Sequence, residues 1–320
     1  MDSEGFRRFL QGRKIPEDKL ESFISIADKF EGMLQGRTPG SSDVEIFAKT
    51  LISEGLNTWD HFIALARYGQ FLENTEVYRE AISLLDGSEV LDNLHERLSA
   101  LVGEQKRDEI FAGIDLPPLG LPTSHKPRVL QAVMERLEAQ LDAETYDKLF
   151  SSSLRTLDDS GYLEDRDKYQ ACASLDEFLV KRGLNFIAHL EQLKHEDRLY
   201  FTQEVTDEVI AFVRGNPLIS QGVREGNVLY EIKIPYMTKE YLAATDERMK
   251  RYYYCHCPWV RESIKNGDVR VSPRFCRCSA GFVKKPWEVI LGRPLKAEVV
   301  ESVLMGDLWC KIAIHLPDGV

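Results

Sequence analysis

No stretch of this 320-residue chain approaches the roughly 20 consecutive apolar residues that a membrane-spanning helix needs. Nor does it open like a secreted precursor. Met1-Asp2-Ser3-Glu4-Gly5 is acidic, with no apolar stretch behind a basic start. The expected location is therefore cytoplasmic, with no membrane partner. Basic charge is scarce too: the formal net charge is −11, which argues against a nucleic-acid-binding face and leaves nucleic acid out of the expected partners. There is no phosphate-cradling Gly-x-x-x-x-Gly-Lys loop. There is also no Cys-x-x-Cys knuckle, the spacing that best fits tetrahedral zinc.

Cysteine is nearly missing from most of the chain, where Cys172 stands alone, and is concentrated near the end. Five of the six cysteines fall in three short stretches: Cys255-His256-Cys257-Pro258-Trp259, Cys276-Arg277-Cys278, and Gly306-Asp307-Leu308-Trp309-Cys310. Three of the four tryptophans, Trp259, Trp287 and Trp309, share this region. In a reducing compartment such a cluster points to metal or thiol chemistry before disulfides. Charge is unevenly placed. Residues 1–115 carry 13 basic against 22 acidic side chains, a balance of −9, whereas residues 251–320 carry 11 against 7, or +4. A modest positive balance around the cysteines suits a small anionic ligand.

Residues 1 to about 113 read as helices. Leu20, Phe23, Ile24, Ala27, Phe30 and Leu34 repeat at helical spacing before Gly36. Ser42 and Glu45 form a capping-box pattern, and Thr58 can cap the helix after it. Ile114–Pro127, with Pro117-Pro118 and Gly120-Leu121-Pro122, reads as an extended connector. Beyond it, helices are expected over 128–149, 174–182, 184–195 and 204–214. Val228 to Ile234 alternates like a strand, and Leu295–Leu304 with Leu308–Leu316 forms a hairpin in which Cys310, Ile312, Ile314 and Leu316 share one face. The expected fold class is α+β. A helical bundle over 1–113, serving as scaffold or dimerisation element, precedes a proline-rich linker over 114–127. An α/β ligand-binding domain with an antiparallel sheet then occupies 128–320, and a homodimer is compatible with this layout.

The cysteine spacing is Cys-x-Cys, 18 residues, Cys-x-Cys, 31 residues, Cys. On a helix Cys276 and Cys278 would project about 200° apart, so both could not serve one ion. On an extended segment Cys255 and Cys257 would share a face. Three readings compete: a zinc-type site, with an iron–sulfur cluster as a lesser variant; a reactive thiol activated by Arg277, Arg261 or His256; and buried, unliganded thiols.

The residues Cys257-Pro258-Trp259, Cys276 with Gly281-Phe282, Gly292-Arg293-Pro294, Glu301-Ser302 and Gly306-Asp307-Leu308-Trp309-Cys310-Lys311-Ile312 carry a resemblance. They resemble the L-2-amino-thiazoline-4-carboxylate hydrolase-like family and the 4-vinyl-reductase-type ligand-binding domain of bacterial sensors of aromatic compounds. The resemblance covers 65 to 90 residues at the carboxyl end. It implies a small α/β domain around a ligand pocket. In the sensor domains zinc is held by cysteines and a glutamate. Cys276 and Cys310 match two of those cysteines, whereas Val299 and Ser302 occupy the other two positions. The hydrolase-like group matches the three-cysteine order at Cys257, Cys276 or Cys278, and Cys310. The resulting expectation is a small-molecule hydrolase. Cys255, Cys257, Cys276 and Cys310 are its metal ligands, and Cys278, His256 and Glu301 its catalytic groups. Arg261, Arg277 and Trp259 would hold the substrate. The alternative is a non-catalytic sensor with a structural zinc.

Overall fold

The structure is a computed structural model describing residues 1–320. The fold is α+β, mostly helical with one four-stranded antiparallel sheet. The chain forms two compact units: Met1–Ser88 with Asp115–Lys126, and Glu89–Ile114 with Pro127–Val320.

The first unit holds α1 (Ser3–Gly12), α2 (Glu17–Leu34), α3 (Ser41–Ser53), α4 (Trp59–Phe71) and α5 (Thr75–Leu85). The helical repeat read from Leu20 to Leu34 is the buried face of α2, which packs with Phe6, Phe47 and Phe62. Thr58 caps α4 by accepting from the His61 amide, as its position predicts. The start of α3 differs from expectation. The helix begins at Ser41, and the reciprocal contact is the Gly40 amide donating to Asp43 Oδ2 at 3.0 Å. Glu45 instead accepts from the Ser124 hydroxyl at 3.0 Å. The stretch read as a linker belongs to this unit over Asp115–Lys126. Gly120, at φ +85°, lies so close to the Phe62 ring that a Cβ there would sit 2.0 Å from it. Lys126, 1% exposed, donates to the Ser83 carbonyl at 3.0 Å, placing its cation at the C-terminal end of α5. Prolines exclude a helix there, but they do not prevent packing.

The second unit begins with α6 (Val90–Val102) and α7 (Glu104–Phe111), then α8 (Lys126–Gln140), α9 (Ala143–Leu149) and α10 (Leu163–Gln170). The chain continues with α11 (Leu175–His195), α12 (Asp207–Arg214), α13 (Pro217–Ser220), β1 (Val223–Glu225) and β2 (Val228–Ile232). It ends with α14 (Thr238–Ala243), α15 (Glu247–Tyr254), α16 (Arg261–Asn266), α17 (Arg277–Leu291), β3 (Lys296–Glu301) and β4 (Lys311–His315). The two helices expected around residue 183 are one, α11, because Gly183 does not break it. Gly183 makes room for Gln221, whose Cβ would lie 2.9 Å from an added methyl.

The sheet order is β1-β2-β4-β3, all antiparallel, with Glu231 opposite Ile312 and Ile232 opposite Lys311. Both strands of the expected hairpin are shorter than read, and a register shift near Val300 breaks the β3–β4 ladder. Leu229, Ile312 and Ile314 form the sheet's inner face against Phe178 of α11 and Trp287 of α17. Cys310 continues that face one residue beyond β4, and Lys233 continues it beyond β2.

Candidate functional site

Three chain segments end at one place. The first is the C-terminus of α15, where the Tyr236 and Met237 amides donate to the Tyr254 and Tyr253 carbonyls and fix the exit at Cys255. The second is the 3₁₀ turn Pro273–Cys276 that leads into α17. The third is the loop from Ser302 to Cys310 joining β3 to β4. It is closed by the Asp307 amide donating to the Ser302 carbonyl and the Ser302 amide donating to Asp307 Oδ2.

These segments bring four thiols within electrostatic reach of one another. Burial pushes the Cys255 thiol well above the ordinary range, and Cys257 and Cys310 push it further. Cys276 is raised by burial, then by Cys310, with Cys255 and Cys257 adding to the effect. The buried Ser302 hydroxyl donates to Cys276 Sγ at 3.1 Å and also lies within hydrogen-bonding reach of Cys310. The Cys310 thiol is raised by burial, against which the Val303 amide and Lys233 act. Cys255 is buried, while Cys257, Cys276 and Cys310 keep some accessible surface.

Cys278 stands apart from this group, as the helical geometry at Cys276 and Cys278 predicts. It is buried and turned toward the loop before α10, where its sulfur accepts from the Leu154 amide at 3.3 Å and from Ser153. Burial raises its thiol despite those donors and despite Lys233 and Arg155 nearby. That loop is held by Arg97 of α6, which donates to the Leu149, Ser152 and Ser153 carbonyls at 2.9, 3.0 and 2.7 Å.

The remaining expected site residues have other engagements. His256 Nε2 donates to the Ile234 carbonyl at 2.7 Å, so that nitrogen is committed to the backbone. Glu301 accepts from Trp309 Nε1 at 2.5 Å and lies 4.0 Å from Lys311. Trp259 is 1% exposed and therefore core, with no face for a substrate to stack on. Arg277 is paired with Asp147 and lies over the Tyr146 ring, on the outside of α17. Arg261 is buried between aromatic rings, 4.5 Å from the Tyr236 centroid and 5.9 Å from that of Tyr252.

Two participants were not expected from the sequence. The Lys233 ammonium lies beside the thiols, 4.1 Å from the Phe282 ring centroid and 3.4 Å from Ser279 Oγ. Burial lowers its pKa, and Cys310, Cys278 and Cys257 act against that lowering. Tyr254 holds it from behind. The Lys233 amide donates to the Tyr254 hydroxyl at 3.2 Å, and that hydroxyl donates to the Cys310 carbonyl at 3.2 Å. The signal for Lys233 lay in the alternation of its strand. Leu229, Glu231 and Lys233 occupy one face, and that face is the buried one.

The donor chemistry suits a soft dication. Four thiolates would repel one another strongly, and a divalent cation would relieve that repulsion, with Lys233 and Arg261 offsetting the excess negative charge of a four-thiolate centre. As the side chains stand, no group of three or more His, Cys, Asp or Glu is arranged as a coordination sphere. A surface concavity of about 310 Å³, bordered by Lys194, Arg198, Glu204 and Asp207, involves none of these residues. No helix is long and apolar enough to cross a membrane. No protein-family model, curated protein or solved structure matches the chain.

Proposed function

We propose that the carboxy-terminal unit is a small-molecule-binding module built on a soft-metal thiolate site, with zinc as the first candidate and Cys255, Cys257, Cys276 and Cys310 as its ligands. The observation that supports this reading is that those four thiols, carried by three separate segments, lie within electrostatic reach of one another and of Lys233, although as they stand they do not form a coordination sphere. Four cysteine ligands make a closed, structural type of centre, whereas hydrolytic zinc keeps a position open. His256 and Glu301, the expected general bases, are engaged by Ile234 and Trp309. Both features favour binding over turnover.

A hydrolase acting on a small carboxylated heterocycle is the second reading, with Cys278 as its nucleophile. That thiol lies outside the four-cysteine group, and the amide and hydroxyl donors on its sulfur would stabilise a thiolate there against the burial that raises it. In an open site a bound metal would supply Lewis acidity for water attack on an sp² carbon.

Cobalt(II) substitution tests the proposal. Protein purified under reducing, oxygen-free conditions should take up one equivalent and give sulfur-to-cobalt charge-transfer bands. Serine at any of the four ligand positions should weaken those bands, whereas Cys172→Ser and Cys278→Ser should leave them unchanged. Protein that binds no cobalt or zinc while all its thiols react freely would defeat the metal reading. Ring opening of 2-amino-thiazoline-4-carboxylate that is abolished in Cys278→Ser would decide for the hydrolase.

A further inference from the structure

The sheet ends on one side in β1, three residues long, and on the other in β3, which has six. In an antiparallel ladder, alternate residues turn their N–H and C=O toward one neighbouring strand and the rest turn theirs toward the other. The Leu316 amide donates to the Asn227 carbonyl at 2.8 Å, so Ile312 and Ile314 likewise face β2. Lys311, Ala313 and His315 then face β3. Lys296 and Glu298, opposite His315 and Ala313, use their backbone groups on β4, and Ala297 and Val299 turn theirs outward. No other part of the chain takes those groups up. The nearest loop contacts fall just outside the strand, where Leu295 is held by Lys284 and Glu288 and the Ser302 amide by Asp307. Lys296, Glu298 and Val300 are exposed beside this edge. Natural sheets blunt such edges by making them short or by bending them. β1 is short, and the register shift near Val300 bends the far end of β3 but leaves residues 295–299 regular.

We propose that β3 pairs antiparallel with β3 of a second copy of this chain, about a two-fold axis through Ala297, so that the two sheets become continuous. The order Lys296-Ala297-Glu298 selects both partner and register. With Ala297 opposite Ala297, Lys296 of each copy faces Glu298 of the other in a non-hydrogen-bonded pair, where side chains come closest. The symmetry repeats that contact. A register with Glu298 opposite Glu298 would instead set like charges on the axis. The two Ala297 residues exchange N–H···O=C bonds, and each Val299 amide donates to the Leu295 carbonyl of the other copy. That carbonyl accepts from Lys284 at 2.8 Å and keeps a second lone pair. Within one copy Lys296 and Glu298 pair with each other at 2.7 Å, so association exchanges partners without stranding a charge. Residues 295–299 alone bury far less than the roughly 1,200 Å² of a stable interface, so the dimer is weak and concentration-dependent. This goes beyond the binding-module reading, requires no metal, and places self-association at the sheet edge, away from the helical bundle.

Sedimentation velocity of the full chain under reducing conditions, in zinc-loaded and metal-free protein and from about 5 to 500 µM, tests the pairing. The mass should rise with concentration from 36.6 kDa toward twice that value. Lys296→Glu and Glu298→Lys each set like charges opposite one another at both symmetric contacts, and each should weaken the dimer about tenfold or more. Glu298→Lys also lowers the repulsion between two copies of net charge −11, so its weakening cannot come from overall charge. The double variant reverses the pair without breaking it and should restore the dimer. Ala297→Pro removes the on-axis donor from a strand edge, where proline is tolerated. It should stay monomeric with an unchanged circular dichroism spectrum. Should that variant disturb the fold, the charge variants decide alone, since they alter side chains 74% and 51% exposed. A monomer at every concentration in both metal states would overturn the proposal. So would a dimer indifferent to the single charge variants or to a well-folded Ala297→Pro, or a double variant no better than the single ones.

Discussion

Tyr254 stands where the β2–β4 ladder would place its next pair. The register sets Glu231 opposite Ile312, so Lys233 and Cys310 would face one another two residues on and exchange backbone hydrogen bonds. Instead the phenol hydroxyl bridges the Lys233 amide and the Cys310 carbonyl, which splays the strands where the thiols gather. Tyr254→Phe should therefore leave two backbone groups unpaired and cost about 1–3 kcal/mol, with faster amide exchange at Lys233. An unchanged exchange rate would mean that the strands close without the phenol. Asp43 makes a pH-dependent case in the helical unit. Its carboxyl is held below the ordinary range chiefly by the Gly40 amide, with Arg37 adding and burial opposing. A lowered folded-state pKa means that the stabilisation is present above the unfolded value of about 3.9 and disappears as pH falls through the folded one. Asp43→Ala should cost about 1–2 kcal/mol at neutral pH and progressively less toward pH 3, as read from urea midpoints of the two proteins. At this scale residue type made the cysteines legible as a group. Lys233 was not, because a lysine in an alternating run reads as solvent-facing until the buried face is known.

Element α17 joins both sides of the site, and the winding from the 3₁₀ turn that ends at Cys276 into its first turn is what separates Cys276 from Cys278. That division could be read from sequence, since it needs only the angle per residue. What could not be read was the partner of the other face. Gly281 lies against the Ser152–Ser153 backbone, where a Cβ would come within 2.1 Å of the Ser153 amide nitrogen. This close approach brings the Leu154 amide to Cys278. Gly281→Ala must push backbone from backbone, so a loss of about 3 kcal/mol or more is expected, together with faster labelling of Cys278 by a thiol reagent. Gly32, on the exposed side of α2 with nothing within 4 Å of an added methyl, is the control. Gly32→Ala should stabilise by about 0.5–1 kcal/mol. Both glycines sit within helices, and only tertiary context gives the substitutions opposite signs. The same holds for Gly183 in α11, which sequence reads as a stop and which serves as a packing notch.

Across the whole chain, the boundary expected at the prolines divides differently because Asp115–Lys126 folds onto the first unit, while α6 and α7 belong to the second. Local pattern marks the helices, but long-range packing assigns them. The apolar interior is divided accordingly. One cluster, running from Phe6 to Leu85, lies wholly in the first unit, and the clusters around Trp287 and Leu190 lie in the second. Around the thiols the second unit relies on polar and cationic contacts: Ser302 on Cys276, Tyr254 on Cys310, and Lys233 on Phe282. The thiols join three segments of the second unit, so a metal binding there would add stability to that unit alone. Removing it with a chelator under reducing conditions should accelerate amide exchange in peptides covering 229–237, 255–260 and 302–316. Peptides covering 20–30 and 62–71, inside the first unit's own core, should keep their protection. Cys276→Ser should reproduce that pattern without chelator, because Cys276 is a proposed ligand and touches nothing in the first unit's core. Uniform loss of protection across all five peptides would mean that the two cores unfold as one, and no change in any of them would mean that the thiols hold nothing the fold depends on.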